Sequence, residues 1–196
     1  KKNKKKLIIG FDPKLYTQAI LTNLFVSKNV KLIPIKTNLI DKIWSNRPRL
    51  KFNKFFILKT RYVGQSYEHK INLICNILKK KKLKNLLITA PENVAWLLNI
   101  RGKDSSYSPI PNCNAIINYK KTVTLIVENN KIDKNFKSYF GKNLKYLNPS
   151  NIIEYLDSLN SEENFLIDKI TCSLFYKEKI AKKFKYVEKI DPIFFL

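Results

Sequence analysis

The 196-residue sequence contains no methionine, not even at position 1, so we expect a fragment or a processed piece. Glycine is scarce. The 4 glycines, Gly10, Gly64, Gly102 and Gly141, build no Gly-x-Gly-x-x-Gly or Walker-type loop, which removes the phosphate-cradling nucleotide folds. His69 is the only histidine, and no Gly-x-Ser-x-Gly elbow is present, so a catalytic triad or histidine metal site would have to recruit that one side chain. Its place near the start of a helix suits a surface residue better. The 3 cysteines, Cys75, Cys113 and Cys172, are odd in number and far apart, which fits a reducing compartment and a cytoplasmic location. No apolar run reaches the roughly 18 residues of a membrane-spanning helix, and Leu7-Ile8-Ile9 runs straight into Gly10 and Asp12, unlike a secretory signal. No membrane partner is expected.

Lysine is what the chain has in excess. Lys and Arg total 38 against 15 Asp and Glu, a formal charge of +23, with clusters at Lys1, Lys2 and Lys4 to Lys6 and at Lys79 to Lys82 and Lys84. Arginine occurs only at Arg47, Arg49, Arg61 and Arg101. Lys, Asn, Ile, Phe and Tyr are abundant together, as AT-rich coding would produce. Readers of nucleic acid favour arginine for its planar two-point fork, so composition favours a solvated surface over a nucleic-acid partner. The 44% hydrophobic content is enough for a real core of one or two domains and argues against disorder.

Periodicity predicts a strand over 6–11, a helix capped at Asp12-Pro13 and running to about Lys28, a strand over 30–35, a short helix over 38–44 and a third apolar run at 55–58. Ser66 reads as the N-cap of a new helix whose buried stripe is Ile71, Ile74, Ile77 and Leu78. A strand over 86–89, a helix over 91–98 and a polar loop over 101–112 follow. Strands over 115–119 and 122–128 make a hairpin. Beyond it we expect helices over 134–140, 149–159 and 173–184, strands over 144–147 and 165–168, and a short apolar end. The pattern is α/β with a mixed sheet flanked by helices. It divides into 1–63, an incomplete α/β unit, and 64–196, a complete one, with the junction around Gly64.

One loop is chemically unusual. Trp96 to Asp104 gathers an aromatic, an amide, Arg101, Gly102 and an acid at a helix end. Gly102 suits a left-handed cap, and Arg101 could pair with Asp104 across the turn. That is either an ordinary helix terminus with a structural ion pair or a loop presenting Arg101, Asp104 and Tyr107 to a ligand or neighbouring domain. Asp157, Glu162 and Glu163 read as a solvated face. No metal ligand set and no catalytic residue is expected.

The strings Trp96-Leu97-Leu98-Asn99-Ile100-Arg101-Gly102 with Asp104, and Asn38-Leu39-Ile40-Asp41-Lys42-Ile43-Trp44 with Arg47-Pro48, resemble signatures of three-domain Xaa-Pro aminopeptidases of the creatinase-like, pita-bread metallopeptidase family. Gly10-Phe11-Asp12-Pro13 and the Gly64-x-Ser66 junction fall in the same order. The resemblance implies that 64–196 is a complete creatinase N-terminal-like domain and 1–63 the C-terminal part of a preceding domain of the same type, with the catalytic pita-bread domain absent. It implies a parent enzyme with two divalent metals, manganese by analogy, that removes the residue ahead of proline from peptides and forms a homodimer. This chain binds no cofactor itself and its partner is the missing catalytic domain. It would help shape the cleft, with Arg101, Asp104 and Tyr107 facing it. The alternative is a free-standing basic RNA-binding or interaction module.

Overall fold

Two parallel strands need a crossover between them, and the first forty residues supply one. The computed structural model describes residues 7–25, 29–48 and 53–196, so the lysines at positions 1–6 and the predicted helix end at 26–28 lie outside the described residues. Strands β1 (Leu7–Phe11) and β2 (Val30–Pro34) pair in parallel, Leu7 opposite Val30 and Phe11 opposite Pro34, with α1 (Gln18–Leu24) crossing between them. Helix α2 (Leu39–Ile43) follows. Its N-cap Asn38 accepts from the Ile40 amide at 2.9 Å.

The predicted cap at Asp12-Pro13 is wrong. Asp12 closes a turn, accepting from the Lys14 amide at 2.9 Å, and Thr17 caps α1 by accepting from Ile20 at 3.3 Å. The reason is tertiary. The carbonyls of Pro13 and Tyr16 accept from the amides of Phe175 and Leu174, so this segment stays outside its own helix and caps another one.

The chain goes on through β3 (Phe56–Ile57) and α3 (Thr60–Val63) to α4 (Tyr67–Lys80), β4 (Asn85–Ile88), α5 (Pro91–Leu98) and β5 (Ile100–Arg101). It continues with β6 (Asn114–Asn118), β7 (Val123–Ile126), α6 (Lys134–Phe140), β8 (Leu144–Leu147), α7 (Ile152–Ser158), β9 (Asn164–Asp168), α8 (Leu174–Ala181) and β10 (Lys185–Lys189). The sheet runs β10-β9-β4-β6-β7-β8, with β6 antiparallel to both neighbours and the other strands mutually parallel. This is the expected mixed sheet flanked by helices.

Alternation along β4 explains why both faces are covered. Leu86 and Ile88 join Ile74, Leu78 and Leu97 from α4 and α5 on one face. Leu87 joins Phe165, Ile167, Ile180 and Phe184 on the other. Ser66 caps α4 as predicted, accepting from His69 at 3.2 Å. Strand β10 went unpredicted, because Lys185-Tyr186-Val187-Glu188-Lys189 alternates charge with apolar residues on an exposed sheet edge and shows no apolar run. Residues 53–58 belong with this body. Phe55 lies in its core, its amide donating to the Lys131 carbonyl at 2.8 Å, and β3 pairs with β5.

Candidate functional site

The loop between β5 and β6 is held by its base. Gly102 donates to the Pro109 carbonyl at 2.8 Å, and a bridge between Ser105 and Ser108 closes the tip. The predicted left-handed cap at Gly102 falls to Asn99 instead, with φ of 55°. Asparagine tolerates that conformation, and here its side chain is fully used. Its Oδ1 accepts from the Lys70 ammonium at 2.6 Å and its Nδ2 donates to the Gln65 carbonyl at 2.8 Å. Gly102 is glycine for a different reason: a Cβ there would stand 2.7 Å from Pro111 Cα.

Arg101 and Asp104 do not pair with each other. Arg101 is half-buried and donates to the Ala95 and Ile100 carbonyls at 3.2 and 2.8 Å. Asp104 meets the Lys131 ammonium at 3.0 Å and accepts from the Asn112 amide at 2.7 Å. Lys131 is buried against the Phe55 ring, so this is a low-dielectric ion pair that fixes the loop to the body. Tyr107 is the opposite case, standing at the tip fully exposed.

A recess of about 460 Å³ opens beneath the tip, lined by Phe56, Lys103, Tyr107, Pro109 and the serines at 105, 106 and 108. A second, of about 420 Å³, shares Phe56 and Lys103 and adds Asn53 and Lys54. Of the three sequence candidates only Tyr107 lines this space; Arg101 and Asp104 act behind it as fasteners. Hydroxyls, a phenol, two aromatic rings and ammonium groups can bind a chain segment. No nucleophile there is paired with a base.

Sequence reasoning missed Lys70. Its ammonium is buried, donating to the Trp96 carbonyl at 2.9 Å and lying 4.4 Å from the Trp96 ring centre. Burial pushes its pKa down, and the nearby Arg101 charge adds to that. The signal was present, because Lys70 falls at helical spacing between Tyr67 and Ile74 on the buried stripe.

His69 is exposed. The thiols of Cys75, Cys113 and Cys172 are buried and unpaired. Burial pushes all three up, Cys172 to about 12, so they stay protonated and poor as nucleophiles or ligands. Among the described residues no three His, Cys, Asp or Glu side chains gather as a metal site. The two-metal set that the resemblance assigns to the absent catalytic domain has no counterpart among these residues. No described helix is long and apolar enough to cross a membrane.

Comparison with known proteins agrees with the motifs. The profile of the creatinase/prolidase N-terminal domain matches residues 46–196. A probable Xaa-Pro aminopeptidase P of Coprinopsis cinerea is 31% identical over 167 residues, covering 83% of this chain and 27% of the relative. Aminopeptidase P1 of Arabidopsis thaliana is 34% identical over 116 residues, 59% of this chain and 18% of the relative. The fold superposes on the X-prolyl aminopeptidase of Caenorhabditis elegans, a cytosolic enzyme with a di-nuclear active site, with a TM-score of 0.85 at 22% identity, over 98% of this chain and 32% of that one. The chain thus spans about a quarter of the length of the first of these relatives.

Proposed function

The chain belongs to the creatinase/prolidase N-terminal domain family, and from that premise we propose that it is the non-catalytic N-terminal part of a metal-dependent Xaa-Pro aminopeptidase. Such an enzyme removes the first residue of peptides with proline in second place. The observation that carries the reading is similarity to Xaa-Pro aminopeptidases over 83% of the chain, at 31% identity, through both tryptophan motifs. The chemistry would then belong to a catalytic domain that this chain partners, where divalent metal, manganese by expectation, would activate the nucleophile and polarise the scissile carbonyl. The parent works as a cytoplasmic homodimer; the cytosolic relative of C. elegans and the unpaired thiols support the location.

The division at 1–63 and 64–196 is part of this proposal, with β3 reaching back across the junction onto the second core. So is the role of the loop. Tyr107 and the serine turn face the substrate cleft and limit peptide length, while Arg101 and Asp104 hold that turn in place. Sequencing the coding frame beyond Leu196 tests the reading. It should continue into two Asp, one His and two Glu; a frame lacking them would sink it. The purified chain with Mn²⁺ should release no residue from an Xaa-Pro peptide, and release would locate the chemistry here instead.

A further inference from the structure

Because every strand of the main sheet except β6 runs the same way, the connections that enter those strands meet at one edge. The connection into β4 carries Lys79, Lys80, Lys81, Lys82 and Lys84. The β6–β7 turn adds Lys120 and Lys121, the entry to β8 Lys142 and Lys145, and the entry to β10 Lys182, Lys183 and Lys185. All but Lys84 and Lys183 are exposed. The acids around this edge are Glu68, Asp157, Glu162 and Glu163, and Glu163 is engaged by Asn85 at 2.6 Å.

The opposite edge is not basic in this way. There Glu92, Asp104, Glu128, Asp133, Asp168 and Asp191 stand against Lys14, Lys54, Lys103, Lys131, Lys134, Lys169 and Lys189, so the charges nearly balance. A coding bias toward lysine raises its frequency everywhere, but it does not sort lysine to one edge of a sheet. Composition made nucleic acid an unexpected partner; placement reverses that weighing.

We propose that this edge binds the phosphodiester backbone of a nucleic acid without sequence preference. Six strands at about 4.8 Å spacing make a strip about 24 Å long, which suits a linear polyanion. Lysine supplies point charges that neutralise phosphates and lacks the planar fork that reads bases. Midway along the strip a recess of about 240 Å³ sets Thr122 and Tyr155 beside Lys120 and Lys145, hydroxyl groups of the kind that contact phosphate and sugar; Glu163 also lines it, its carboxylate held by Asn85. Protein interfaces are poor in lysine and rich in aromatic anchors, and no large exposed apolar side chain stands on these connections to enter a bilayer. The proposal is independent of the peptidase reading.

The test is fluorescence anisotropy of a labelled oligouridylate with the full chain, from 50 to 300 mM salt. The variant Lys80→Glu, Lys120→Glu, Lys145→Glu, Lys185→Glu should bind more than about tenfold more weakly, with a log–log salt slope shallower by about 3. A control of identical net charge, Lys36→Glu, Lys59→Glu, Lys134→Glu, Lys169→Glu, should keep most of the affinity. Equal losses in the two would overturn the proposal, since net charge alone would then be responsible. So would retention of the chain by phosphatidylserine vesicles, and not by the oligonucleotide, at 150 mM salt. Acetylation footprinting of the unaltered chain gives an answer that no folding defect can blur. Bound RNA should protect the edge lysines and leave Lys36, Lys59, Lys134 and Lys169 reactive; uniform protection would count against the site.

Discussion

Ile43 and Leu97 are aliphatic side chains on short helices of one chain, yet Ile43 is 77% exposed and Leu97 has no exposed surface. The first sits in the unit around β1 and β2, the second in the unit built on the six-stranded sheet. Two parallel strands with a single crossover helix cover neither of their own faces, so Ile8, Leu24, Leu39, Ile40 and Trp44 stay exposed beside Ile43. Among the described residues this unit's buried apolar side chains are Phe11 and Leu21, which pack with Tyr16, Phe25 and Leu32 and gain further cover from Leu174 of α8. Apolar sequence alone does not make a core; a second layer does.

The sharpest way to break the contrast is at the buried ion pair. Lys131→Ala should leave Asp104, whose side chain is 14% exposed, without its cation and cost about 3–5 kcal/mol, read as the midpoint of urea unfolding. Replacing both Lys131 and Asp104 with apolar residues of similar volume should recover much of that loss. A little smaller is Leu97→Ala, about 2–5 kcal/mol through the cavity it leaves, whereas Ile43→Ala should stay within about 0.5 kcal/mol. Similar costs at the two sites would show that the first unit is covered in solution.

Gly102→Ala comes next. Its methyl would press on Pro111, and overpacking of this kind costs about 1–3 kcal/mol; it should also speed protease cleavage near Tyr107, whereas Tyr107→Ala should leave stability unchanged. Removing residues 1–48 should lower aggregation by deleting the uncovered apolar face. It should also lower the melting temperature slightly, because Leu174 loses its cover and α8 its capping carbonyls; an unchanged aggregation rate would assign the sticky surface to the second unit.

The smallest effect concerns Asp191, which is fully buried, accepts from Asn93 and the Ile193 amide, and lies near Asp168. Burial holds its carboxyl above the usual range. The unfolded chain ionises Asp191 near its ordinary value, about 3.9, so its contribution to stability is fully present below that pH and is lost as pH rises through the folded value. The melting temperature of Asp191→Asn minus that of the unaltered chain should therefore become more positive as pH rises above about 4. A difference that falls over that range would mean the folded carboxyl is stabilised as the anion.

What could be read from sequence depended on where each signal was local. The cap at Ser66, the β6–β7 hairpin and the α5 boundaries were legible because their causes lie within a few residues. Arg101 and Asp104 were placed on the right loop and given the wrong partners. Asp104's cation comes from Lys131, and Arg101's acceptors from Ala95 and Ile100 carbonyls that already belong to the helix end and strand. Pro13 and Tyr16 cap a helix more than 150 positions away, which no local pattern encodes.

The amino-acid order by itself determined the α/β alternation, the family and the absence of nucleotide-loop and triad motifs, since these follow from periodicity, short motifs and residue counts. The tertiary structure alone decided which lysines share an edge, which carboxylates are paired and which apolar faces are covered. Each of those depends on strand order and direction, and so on contacts between residues far apart in the chain.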